Sequence, residues 1–167
     1  MKKVAITLAV IALLLAGATL WGVSQATLQV KPLDALSMNA DTQLAEFERL
    51  MALLDHNAVR GTVFDPVVTG DPADYSILRY TLRVRNNGLL PAKMLEAMVV
   101  PVAGDVLCYS QQDAQGQDIN QPLILGPRQE ADLHCYLLTR RNLHPVRELR
   151  VTYYIWGHPF LVKVTYG

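Results

Sequence analysis

Ser76–Arg85 reads SILRYTLRVR, and its alternation decides the fold class. Leu78, Tyr80, Leu82 and Val84 share one parity, and Arg79, Thr81, Arg83 and Arg85 share the other. Successive side chains of a strand point to opposite faces, so this pattern predicts a half-buried β-strand. Asn86-Asn87-Gly88 ends it with residues that tolerate positive φ.

Working outward, further short strands are expected at Thr62–Val68, Met94–Val102, Asp105–Ser110, Leu123–Leu125 and Ala131–Thr139. A terminal hairpin, Glu148–Trp156 and Phe160–Tyr166, is expected around Gly157-His158-Pro159. Pro66 confines the first of these strands to an edge. Gly70-Asp71-Pro72 and Gly126-Pro127 read as turns, and the polar stretch Gln111–Gln121 as a loop. Many short strands separated by turn signals predict a mainly β chain, an antiparallel Ig-like sandwich over residues 62–167.

Two helices precede that domain. In residues 41–58, Leu44, Phe47, Leu50, Met51 and Leu54 recur at spacings of three and four, with Asn39 or Asp41 as N-cap. This amphipathic helix is expected to pack on the sandwich. Its acidic polar face disfavours a membrane surface, and pairing with another chain is the other option. Residues 24–40 read as a connector in which Lys31-Pro32 blocks any continuous helix.

Residues 1–23 carry Lys2 and Lys3, then an uncharged span from Val4 to Val23. At about 1.5 Å per residue this is just long enough for a hydrocarbon core of about 30 Å. Trp21 falls where an interfacial ring belongs, and the basic pair predicts a cytoplasmic N-terminus with residues 24–167 outside. The segment reads as a transmembrane signal anchor in the lipid bilayer, or as a signal peptide cut after Ser24-Gln25-Ala26, which would leave a secreted or periplasmic domain. No cysteine lies near residue 20, which excludes a lipoprotein anchor.

The chain of 167 residues has fifteen basic and fifteen acidic side chains. Omitting Lys2 and Lys3 leaves thirteen basic residues against fifteen acidic ones, which argues against a nucleic-acid partner. Residues 31–78 are acidic and residues 79–167 basic, so the two parts could attract each other. Cys108 and Cys135, an even pair in strand-like runs, suggest a disulfide in an oxidising compartment; two buried thiols are the alternative.

Tyr80–Gly88 (YTLRVRNNG) resembles the second-strand signature of bacterial Ig-like or fibronectin-III-like adhesion and accessory domains. Leu125–Leu133 (LGPRQEADL) is similar to their element of leucine, proline–glycine, acid and strand, with Gly126-Pro127 in reversed order. The resemblance covers about residues 62–167. It implies binding, adhesion or assembly outside the cell, and transfers no catalytic residue.

No catalytic, phosphate-cradling or cofactor motif is present in the sequence, and no enzyme activity, cofactor or metal is expected. His56, His134, His144 and His158 lack ligand spacing. Asp65, Asp71 and Asp74 cluster near one turn, where capping explains them better than calcium. Two candidate binding faces remain. One is the basic stripe Arg79, Arg83 and Arg85, suited to an anionic envelope polymer or acidic partner unless it is solvated or paired within the chain. The other is Tyr154 and Trp156, contacts for a sugar ring or a protein unless they lie in the core. The expected function is a membrane-anchored extracytoplasmic binding or assembly module with a protein or envelope-polymer partner. A pilus- or pseudopilus-like subunit is the alternative, although the apolar span lacks an early glutamate and Pro32 interrupts the helix.

Overall fold

The structure is a computed structural model; it describes residues 2–24, 28–110, 112, 123–143 and 146–166. The elements in chain order are α1 (Lys2–Ser24), β1 (Leu28–Asn39), α2 (Leu44–Asp55), β2 (Thr62–Val63), β3 (Tyr75–Asn86), β4 (Ala92–Val99), β5 (Asp105–Ser110), β6 (Ile124–Leu125), β7 (Glu130–Arg140), β8 (Arg147–Ile155) and β9 (His158–Tyr166). Short 3-10 turns at Ala40–Gln43 and Pro72–Asp74 lead into α2 and β3.

The strands form two antiparallel sheets stacked as a β-sandwich. The larger has five strands in the order β1-β3-β7-β5-β2, and the smaller has four in the order β6-β4-β8-β9. Strand β3 behaves as its alternation demands. Leu78, Tyr80, Leu82 and Val84 are buried between the sheets against Leu95, Val99, Leu149, Val151 and Tyr153. On its outer face, Tyr75 and Ile77 lie in a second cluster with Phe47 and Leu50 of α2 and Leu107 and Leu138 of the sheet. The amphipathic helix thus covers one half of the outer face of the large sheet. Fully burying a side chain of this size contributes about 1.5–3 kcal/mol. Arg79, Thr81, Arg83 and Arg85 continue the same face where α2 does not reach.

Several boundaries differ from the sequence reading. Within the connector expected over residues 24–40, Leu28–Asn39 is a twelve-residue strand paired along β3 from Leu28↔Asn86 to Asn39↔Ser76. Proline forbids a ladder bond only where its missing N–H is needed, so an edge strand accepts Pro32, and the register shifts between Pro32 and Asp34. The sandwich therefore begins at residue 28 rather than 62. The helix expected over 41–58 is a 3-10 turn followed by α2, and neither Asn39 nor Gln43 makes a side-chain cap bond. Strand β2 is only Thr62–Val63, on the edge that Pro66 implied. Strand β4 starts earlier than expected and contains a register shift between Lys93 and Glu96, where Met94 takes φ 55°. The hairpin turns at Trp156-Gly157 rather than Gly157-His158-Pro159, with φ 52° and 76° at the two central residues. That is the pattern of a type I′ turn, whose twist matches the flanking strands. Of the expected loop Gln111–Gln121, all but Gln112 lies outside the described residues.

Helix α1 is uncharged and largely apolar from Val4 onward, and none of its hydrophobic window is buried against the rest of the chain. It has the length and composition of a membrane anchor or a signal sequence.

Candidate functional site

The basic stripe sits where its parity places it, and carboxylates of the neighbouring strands meet it. Arg83 donates from Nε to Asp132 at 2.9 Å and from a terminal nitrogen at 3.2 Å, and its Nε lies 3.4 Å from Glu130. The hydrogen bonds from Arg83 hold the Asp132 carboxyl below the usual carboxylate range. Arg79 lies 3.8 Å from Asp34 of β1. Arg85 stands opposite Glu130 of β7 and Gln29 of β1 in register. The acidic partners come from β1 and β7, not from α2. Of the other arginines, Arg147 and Arg150 belong to the smaller sheet, so they do not extend the stripe.

The two cysteines meet. Cys108 on β5 and Cys135 on β7 are both buried, and their sulfurs are 3.2 Å apart as free thiols. They lie within one sheet, offset diagonally: Cys108 pairs with Leu137, and Ser110 with Cys135. The hydrogen bond between the thiols lowers the Cys108 pKa, aided by the N–H of Val99. The same bond, together with burial, raises Cys135 well above its ordinary value. One proton of the pair is thus easier to remove and the second much harder.

Tyr154 and Trp156 are exposed, at 38% and 65%, rather than core. Parity explains this, because Val151, Tyr153 and Ile155 take the inner face of β8. Tyr154 borders an open cleft of about 1080 Å³ beside β4 and β5, lined among others by Met94, Glu96, Tyr109, His134 and Leu161. Cys108 also contributes to its wall. The cleft combines apolar surface with two carboxylates (Glu96 and Asp132), one guanidinium (Arg60), one imidazole and two phenols, which suits an amphipathic ligand.

Sequence reasoning missed one cluster. Arg147 on β8 forms a fork with Asp105 on β5, at 3.1 Å from Nε and 2.9 Å from a terminal nitrogen. The side chains are 3% and 0% exposed. Asp105 also accepts from the Thr139 hydroxyl at 2.7 Å and the Val102 N–H at 2.8 Å. This bridge joins the two sheets, so it is structural rather than catalytic in geometry. Asp105 at a strand start and Arg147 among several arginines gave no sequence signal of a pair.

The remaining candidates are locally engaged. The Asp71 side chain accepts from Ala73 N–H, Asp74 accepts from Asp71 N–H, and Asp65 accepts from Val67 N–H, all capping contacts. His134 hydrogen-bonds Thr81, and His56 meets the carbonyl of Ala52. His144 lies outside the described residues. Among the described residues, no group of three or more metal-ligating side chains comes together.

No protein-family model and no curated protein matches the sequence. Among solved structures, that of a FixG-related protein from Vibrio parahaemolyticus aligns with a TM-score of 0.36 and 14% identity, covering 54% of this chain and 74% of that one. A likeness of that degree carries no argument about function.

Proposed function

We propose that this protein is a membrane-anchored extracytoplasmic module that binds or assembles with an envelope partner and performs no chemistry of its own. The observation that carries the reading is the contrast between its two parts. The sandwich closes its own cores, whereas the apolar surface of α1 is left entirely to an external apolar phase. The positive-inside rule, applied to Lys2 and Lys3, puts residues 24–167 outside. Partner binding falls to the cleft beside Tyr154, because acids of β1 and β7 already face Arg79 and Arg83 of the stripe. The resemblance of Tyr80–Gly88 to Ig-like accessory domains fits the same role.

In an oxidising compartment Cys108 and Cys135 form a disulfide. A bonded pair sits at about 2.05 Å, a small closure from 3.2 Å. Both protons and two electrons pass to the compartment's dithiol-oxidising system. Chain-entropy arithmetic for this loop gives about 3.5 kcal/mol.

Intact mass of the protein from its native membrane fraction, with and without reduction before alkylation, tests the reading. Full-length mass with two sulfurs alkylated only after reduction supports an anchored, oxidised module. A mass starting at Thr27 overturns the anchor. Two thiols alkylated without reduction, once the protein is unfolded, overturn the disulfide and the compartment with it.

A further inference from the structure

We infer that the end of the sandwich next to α1 is a lipid-docking surface, which seats the domain on the headgroups of the bilayer that holds its anchor. The inference rests on the anchored reading above and names a partner for a surface that reading leaves unused.

Chain geometry fixes which end this is. The 23 residues of α1 span about 34 Å, enough to cross the hydrocarbon core and leave Ser24 at its edge. From Ser24 to Leu28 the chain can reach no more than about 14 Å. The headgroup layer is itself about 5–8 Å deep on each side. Leu28 therefore starts β1 at or just above that layer.

Register shows what surrounds Leu28. It pairs with Asn86 at the end of β3, and its N–H donates to the Tyr153 hydroxyl near the end of β8. The Asn86 side chain donates to the carbonyls of Leu90 and Leu125, and its backbone N–H to that of Gln129. The β3–β4 loop, the β6–β7 turn and the β8–β9 turn therefore share this end of the molecule. Asp105, Thr139 and Tyr166 lie at the opposite end, next to Arg147.

The residues presented there have the chemistry of an interface. Trp156 at the tip of β8–β9 is 65% exposed, and Leu89 in the β3–β4 loop is 52% exposed. Amphipathic indole rings belong at the boundary of lipid and water. Trp156 also holds φ 52°, a position where a type I′ turn favours Asn, Asp or Gly. A bulky aromatic there strains the backbone and contributes nothing to the core. Arg85, Lys93 and Arg128 lie toward the same end, all exposed, and none has a carboxylate within 4.0 Å among the described residues. Among the described residues, Glu130 at this end is engaged by Arg83. Apolar tips that share an end with such cations match a surface with anionic phosphates above acyl chains. The short tether holds this end against such a surface, which favours lipid over a diffusing protein.

The two tryptophans of the chain, Trp21 and Trp156, make the test separable. Full-length Trp21→Phe and Trp156→Phe proteins are reconstituted into vesicles of phosphatidylcholine and phosphatidylglycerol, with and without acyl chains brominated just below the headgroup. In the Trp21→Phe protein, Trp156 emission should shift to shorter wavelength, lose intensity with brominated lipid, and become less accessible to acrylamide. Adding Leu89→Asp and Arg128→Gln should return it to the behaviour of a tryptophan in water. Trp156 emission that stays at the water position in the vesicles overturns the docking surface. A shift that is indifferent to brominated lipid but falls on dilution assigns the surface to a second protein copy, and also overturns it. Trp21 in the Trp156→Phe protein reports the anchor separately. If its emission is insensitive to brominated lipid, the anchored reading fails, whatever Trp156 does.

Discussion

At the scale of single residues, Asp105 and Arg147, which tie the two sheets together, follow no visible sequence pattern. Asp105 and Arg147 face each other across the two sheets, fully buried and bonded on both carboxylate oxygens. Removing one partner leaves a buried, uncompensated charge, so Asp105→Asn should cost about 3–5 kcal/mol in chemical denaturation. The exposed fork of Arg83 and Asp132 is a different case, because water screens it and its contribution is small. Buried phenols give a pH signature. Burial raises the pKa of Tyr80 well above the usual tyrosine value, and does the same for Tyr109 with the Glu46 carboxylate adding to it. The folded state therefore favours the neutral phenol. This stabilisation is complete below about pH 10 and is lost as pH rises above it, because the unfolded chain ionises first. An alkaline titration followed by phenolate absorbance should show these two tyrosines ionising only with loss of the fold. The expectation that Arg79, Arg83 and Arg85 share a face came from parity alone. The partners of Arg79 and Arg83 could not be read, because Asp34, Glu130 and Asp132 are distant in sequence and meet them through strand pairing.

At the scale of elements, the period of the hydrophobic pattern was legible and the ends were not. The stripe of α2 packs where a stripe at spacings of three and four should, with Phe47 and Leu50 buried on Ile77 and Leu138. Leu50→Ala should cost about 2–5 kcal/mol, read as a lower denaturation midpoint at unchanged slope. The β8–β9 turn carries the opposite expectation. Trp156→Asn relieves a positive φ in a bulky residue, so it should raise stability by up to about 1 kcal/mol. A stabilising substitution at an exposed aromatic is what a residue retained for contact rather than folding would show. Strand β1 escaped the sequence reading for a physical reason. Lys31-Pro32 rules out a helix, and proline disfavours an inner strand, but an edge strand needs only half its ladder bonds.

At the scale of the whole molecule, β1 changes what counts as the domain. It covers one edge of the large sheet, and Leu28 enters the core between the sheets. A chain beginning at residue 62 lacks that strand and α2, and should give neither a cooperative thermal transition nor dispersed side-chain signals. A chain beginning at residue 28 should give both. The apolar helix, the amphipathic helix and a mainly β remainder were legible from the residues alone, because the first depends on composition and the others on local periodicity of 3.6 or 2 residues. Also legible was which face of β3 enters the core, since parity within one strand is a local property. Strand order and packing were needed to show that Cys108 and Cys135 meet, that Asp105 neutralises Arg147, and that Trp156 and Leu89 share the end of the sandwich where β1 begins. Each of those depends on strand order and register, which are fixed by the packing of residues far apart in the chain.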